Sequence, residues 1–137
     1  MSRSTALIIA ALLGMLGVMA GAFGAHALAA RVEPEALAWW RTATSYQLVH
    51  AVVLLTLALT GAVEHPWGRR AFQCTVLGIL VFSGTLGAMT LGAPRWMGMI
   101  TPVGGLCLIL GWGCLVLEGR ARARGDLAEP SGDPRSD

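Results

Sequence analysis

Gly21-Ala22-Phe23-Gly24-Ala25-His26 closes a stretch of 27 residues, Ser4 to Ala30, that carries no Lys, Arg, Asp or Glu. At 1.5 Å per residue such a helix reaches ~40 Å, enough to cross ~30 Å of hydrocarbon with some tilt. The same stretch has a signal-peptide flavour, with Arg3 ahead of it and Ala27-Leu28-Ala29 near its end. The apolar core of a signal is about 7–15 residues, however, and this run is nearly twice that. It reads as a retained first helix.

Three more apolar spans follow, roughly Thr42–Val63, Ala71–Gly92 and Met97–Leu117, with the first taken as Thr5–Ala30. The chain has 137 residues, of which 55% are hydrophobic and 13% charged. Soluble domains carry roughly 25% charged residues. A chain this short could not hide so much apolar surface from water, so the expected fold is an all-α, membrane-spanning four-helix bundle with antiparallel neighbours. Residues 1–117 form the transmembrane domain in this reading. Residues 118–137, rich in Arg, Asp, Pro, Ser and Gly, form a disordered cytoplasmic tail.

The connections are short. Arg31 to Arg41 reads as an interfacial helical turn, with Pro34 at a helix start, Trp39 and Trp40 at headgroup level and Arg41 snorkelling. Glu64 to Arg70 and Pro94 to Trp96 turn the chain again. Four spans put both termini on one side, together with Arg3, Arg69, Arg70, Arg120, Arg122 and Arg124; Arg31, Arg41 and Arg95 lie opposite. The positive-inside rule then makes the termini cytoplasmic and the membrane the plasma (inner) membrane. The net charge of +2 is too small and scattered for a nucleic-acid partner.

Lipid removes the usual hydrophobic reason for helices to associate, so close approach at small residues matters more. Helix one offers Gly14, Gly17, Gly21 and Gly24, alternately three and four apart on one stripe. Helix three offers Gly84 and Gly87, with Gly78 earlier, and helix four offers Gly104, Gly105 and Gly111. The same faces suit a homo-oligomer or a membrane-protein partner. Cys74, Cys107 and Cys114 lie inside apolar spans without metal-type spacing and read as small packing residues.

Ionisable residues inside spans are costly and therefore informative. His26 and His50 are the ones here. Tyr46 and Gln47 share the face of His50, four and three residues away. Ser83 lies near mid-depth in helix three, and Thr101-Pro102 reads as an N-cap followed by the first helical position of a helix four sunk below the surface. The candidate site is a polar pocket in the outer leaflet made by His26, Tyr46, Gln47, His50, Ser83 and Thr101. It has two readings: a solute or proton path, or side chains that bond one another and fix helix register. Two histidines with no carboxylate or thiol at matching depth make an incomplete metal site, so no metal or cofactor is expected. No nucleophile–base set, phosphate loop or HExxH pattern occurs, and no enzymatic activity is expected.

The order Gly-Ala-Phe-Gly-Ala-His-Ala-Leu from Gly21, then Trp40-x-Thr42-Ala43-x-x-Tyr46-Gln47-x-x-His50-Ala51, then Phe82-Ser83-Gly84, Thr101-Pro102-x-Gly104-Gly105 and Gly111-Trp112 resembles one family. It is similar to the small bacterial inner-membrane proteins of domain of unknown function family 423, related to transmembrane protein 256. The resemblance covers about residues 5–117. It implies a four-helix integral membrane protein and brings no assigned activity. The tyrosine expected after Phe82-Ser83-Gly84 is absent from this chain.

Overall fold

The computed structural model describes residues 1–125. Four long helices form: α1 (Arg3–Phe23), α2 (Pro34–Leu59), α3 (Pro66–Thr90) and α4 (Thr101–Ala123). No strand occurs among the described residues. Each helix is long and apolar enough to cross a membrane. Ile8, Val18, Val52, Leu80 and Ile109 stand more than half exposed on the outside, as lipid-facing side chains do.

The helix ends differ from expectation in four places. The interfacial turn and the second span are one helix, because Pro34 supplies a fixed φ at the first turn and nothing interrupts the backbone at Arg41. Helix two ends at Leu59 rather than Val63, where Thr60 and Gly61 (φ +71°) turn the chain into a short 3-10 turn at Ala62–Glu64. Helix three starts at Pro66 rather than Ala71, again with proline in its first turn. Helix four begins at Thr101, with Ile100 rather than Thr101 as its cap, and continues to Ala123 instead of stopping near Leu117. Its 23 residues extend about 34 Å, against the ~24 Å of a helix that stopped at Leu117. The expected tail from 118 is thus helical as far as Ala123, and positions 126–137 lie outside the described residues.

The extension of α4 has a physical cause. Glu118 is buried, only 4% exposed. Its Oε2 accepts the Gly68 N–H at 3.2 Å and its Oε1 accepts from Arg122 Nε at 2.9 Å. The carboxylate therefore satisfies a free N–H in the first turn of α3, at the positive end of that helix. Arg3 does the converse for α2. Its guanidinium donates to the carbonyls of Ala58 and Leu59 at the negative end, the first of which also takes the Gly61 N–H. Arg3, Gly68 and Glu118 thus lie at the same end of the bundle.

Helices α1 and α2 pack together, as do α3 and α4, and α2 lies against α3; α1 and α4 share no comparable interface. The core runs from Ala6, Ala10 and Leu13 through Leu54 and Leu57 to Phe72, Ile79 and Leu108. Of the eight glycines assigned to packing, Gly17 meets Leu48, Gly24 meets Trp40 and Gly104 lies against the Phe82 backbone, each so closely that a Cβ would overlap. Gly14, Gly87 and Gly105 are at ordinary contact distance of Ala51, Trp40 and Phe82. Gly21 and Gly84 face open space. Gly78 against Leu108 and Gly111 against Thr75 complete the α3/α4 contact.

These distances predict opposite outcomes for the same substitution. A Cβ at Gly104 would fall 2.4 Å from the Phe82 backbone nitrogen, so Gly104→Ala should lose about 1–3 kcal/mol by overpacking. Gly84→Ala should be neutral or slightly stabilising in the same reversible unfolding titration in mixed detergent micelles.

Candidate functional site

Trp40 organises the half of the bundle remote from Arg3 and Glu118. Its indole lies on Gly24, where an added Cβ would fall 2.4 Å from Cδ1 and 2.5 Å from Nε1. The indole N–H donates to the Ala20 carbonyl at 2.8 Å. That carbonyl also receives the Gly24 N–H, so one acceptor serves both the helix and the incoming side chain. An inserted side chain that competes for the ladder is a recognised cause of helix irregularity. Here the chain widens into a π-helical turn, Gly24–Leu28, beginning at the residue the indole covers. Phe23 completes the seat, its ring centroid 5.8 Å from that of Trp40.

The six expected site residues fall in four places rather than in one pocket. His26 is exposed on the π-turn, and no hydrogen bond joins it to the other five. Gln47 donates from Nε2 to the Leu13 carbonyl at 2.9 Å, tying α2 to α1. Ser83 donates to the Ala43 carbonyl at 2.8 Å, tying α3 to α2. Thr101 and Thr85 share a hydroxyl–hydroxyl bond of 2.8 Å between α4 and α3. A cavity of about 60 Å³ lies between Trp40, Thr44, Gln47 and Ser83. It has room for a few water molecules, well short of the roughly 300–1,000 Å³ of pockets for organic ligands.

His50 and Tyr46 form the remaining group. His50 is 7% exposed and Tyr46 45%. The rings stack with centroids 5.9 Å apart, and Tyr46 also packs on Phe82 at 4.6 Å. His50 Nδ1 lies 2.8 Å from the Tyr46 carbonyl. On the other side Trp112 Nε1 lies 3.3 Å from His50 Nε2. An indole nitrogen only donates, so Nε2 must accept, and the ring proton sits on Nδ1, donated to the carbonyl. Both nitrogens of the imidazole are thereby satisfied. Trp112 was outside the expected pocket; a Trp on an apolar span reads from sequence as a lipid-facing or interfacial side chain, and nothing local shows that its N–H reaches across to α2. Thr90, which donates to the Ala36 carbonyl at 3.0 Å, is a further α3–α2 tie of the same kind.

Among the described residues, no three His, Cys, Asp or Glu side chains come together as a metal site. No buried side-chain nitrogen or oxygen there lacks a partner.

With this geometry in view, residues 20–105 match the family described as Protein of unknown function (DUF423). This chain belongs to that family. It is 37% identical to a UPF0382 membrane protein of Haemophilus influenzae over 106 residues, 77% of this chain and 86% of the relative. It is 38% identical to a UPF0382 membrane protein of Staphylococcus epidermidis and 36% identical to one of Staphylococcus aureus. Each of those two matches spans 114 residues, 81% of this chain and 91% of the relative. No solved structure matches the chain. The DUF423 segment opens at Ala20, the carbonyl that receives Trp40, and takes in every expected polar residue, whereas Trp112 lies beyond it.

Trp112→Phe keeps the ring and removes the donor, leaving a buried imidazole nitrogen without its partner. About 1–2 kcal/mol of stability should be lost. In ¹⁵N spectra of the labelled imidazole, the native protein should show an unprotonated Nε2, and the variant a mixture of tautomers.

Proposed function

We propose that this DUF423 protein is a non-catalytic structural or accessory component of the bacterial plasma membrane, with both termini cytoplasmic, that associates with itself or with another membrane protein. The observation that carries this reading is that every buried side-chain nitrogen and oxygen among the described residues is bonded inside the bundle. His50, Gln47, Ser83, Thr90 and Thr101 each tie one helix to another. Groups that carry a substrate or a proton need free donors and acceptors, and these have been spent on helix register.

The orientation rests on arginine placement. Arg3 and Arg122 lie at the end where α2 stops and α3 starts, beside Arg69 and Arg70 in the sequence of that end. Arg95 lies at the opposite end, bonded to Glu35 at 3.3 Å in an exposed pair. An excess of arginine at the end bearing both termini supports a cytoplasmic assignment. Of the eight packing glycines, Gly21 and Gly84 are the two left open to a neighbour in the bilayer.

A second reading, a small-solute or proton path, draws on the water-sized cavity beside Thr44, Gln47 and Ser83. One pair of measurements separates the two. Purification in mild detergent with in-membrane cross-linking should yield a stable homo-oligomer or a co-purifying membrane protein. A strict monomer without partner counts against the structural role. In proteoliposomes, native protein and His50→Leu should show the same background pH-dependent flux. Flux that is present in the native protein and abolished in His50→Leu would establish the transport reading instead.

A further inference from the structure

A groove lies between α1 and α3, on the outside of the bundle. Its α3 wall runs from Phe72 and Gln73 through Val76 to Leu80, Ile9 faces it from α1, and about 250 Å³ lies between them. From Phe72 to Leu80 the wall is ~12 Å long, close to the ~15 Å of hydrocarbon in one leaflet. Leu80 is the fifteenth of the 25 residues of α3, so the groove stops just past the middle of the helix. It belongs to one leaflet, at the end that carries Arg3 and Glu118. Leu80 is more than half exposed, and the groove opens sideways to the bilayer.

Two polar side chains stand at the mouth of this groove. Arg69 lies three residues before Phe72 and four before Gln73, on the helix face that forms the wall. Both Arg69 and Gln73 are exposed. The ion pairs among the described residues are Glu35 with Arg95 and Glu118 with Arg122, and neither takes in Arg69. Its neighbours are engaged elsewhere, Arg3 on the carbonyls of Ala58 and Leu59 and Arg70 over the Trp67 ring at 4.6 Å. Gln47 on α2 donates to the Leu13 carbonyl, whereas the Gln73 amide makes no such bond among the described residues. Gln73 lies ~10 Å along α3 from Pro66, and helical side chains lean toward the helix start, which carries its amide toward the Arg69 guanidinium. An amide at that depth is costly without a hydrogen-bonding partner.

We propose that the groove binds one anionic phospholipid, its phosphate held by Arg69 and Gln73 and one acyl chain laid along α3 as far as Leu80. A guanidinium presents paired N–H donors to phosphate oxygens, and the amide adds a further donor beside it. The headgroup has to be anionic, because a zwitterionic one would bring its own ammonium close to Arg69. A second copy of the chain fits this surface less well. A two-fold contact sets the same patch against itself, which would place Arg69 near Arg69. A neighbouring helix would also cross both leaflets, whereas the groove occupies one. Another groove, of about 340 Å³ between Gly14 and Ala51, is lined by apolar residues alone and has nothing to anchor a headgroup.

The test uses the full-length protein in phosphatidylcholine vesicles doped with a phosphatidylglycerol that carries a photoactivatable diazirine on one acyl chain. Peptide mapping after illumination should find the label between Phe72 and Leu80 and around Ile9. Excess plain phosphatidylglycerol should remove it, and excess phosphatidylcholine should not. At sub-saturating lipid, labelling in Arg69→Gln should fall ~10-fold, the effect of one charge-assisted hydrogen bond. Gln73→Leu should also label less, while Arg70→Gln should label as the native protein does, with circular dichroism confirming that each variant is helical. Four results overturn the proposal: label spread evenly around the four helices, equal competition by phosphatidylcholine, full labelling of Arg69→Gln, or an unlabelled groove in a protein that chemical cross-linking shows to be dimeric, which would assign the groove to a second copy.

Discussion

A tryptophan seated on bare backbone holds one half of this bundle, the half remote from Arg3 and Glu118. Trp40 reaches α1 only because Gly24 has no side chain, and its N–H finds an acceptor only because the Ala20 carbonyl is left uncovered. The same ring touches the surface of Gly87 on α3. One side chain thus measures the separation of three helices, and it does so by sterics and a directional bond rather than by burial of apolar area. That is the type of contact lipid favours, since apolar area gains nothing by leaving an apolar solvent. The widened turn after Gly24 and the exposure of His26 follow from this insertion.

At the other end of the molecule, charge takes over the role that hydroxyls and an indole play around Trp40. Arg3 covers the last carbonyls of α2, and Glu118 covers an early N–H of α3. Each helix terminus is a cluster of unpaired backbone groups, and in or near lipid such groups need a protein partner. Glu118 is also neutralised by Arg122 one turn along its own helix, which is what makes a nearly enclosed carboxylate tolerable.

The count and direction of the helices were legible in the sequence, because charge-free runs of membrane length leave few alternatives. The three-and-four spacing of the helix-one glycines marks a face but not which of them are covered, since Gly17 and Gly24 are close-packed and Gly21 is open. The helix ends were less legible. Arg41 resembles a membrane boundary, yet a helix may leave the bilayer without breaking, and only Pro34 marks its start. Glu118 and Arg122 look like the opening of a polar tail, and their role depends on a partner 50 residues away at Gly68. His50 and Ser83 are buried, but how the polar residues group was not legible in the sequence. Convergence on one point and distribution along an interface give the same residue types at the same depths, and only the rotation of each helix distinguishes them.

The helices pair in order, α1 with α2 and α3 with α4, with α2 and α3 joining the pairs. The arginine and glutamate caps both act within a pair. By contrast, the bonds from Ser83 to Ala43, Thr90 to Ala36 and Trp112 to His50 all cross from one pair to the other. The chain is therefore organised as two helical hairpins, each able to complete its own ends as it enters the bilayer. What remains for the last step of assembly is a seam of side-chain hydrogen bonds, in which only one alignment of the two halves satisfies every partner.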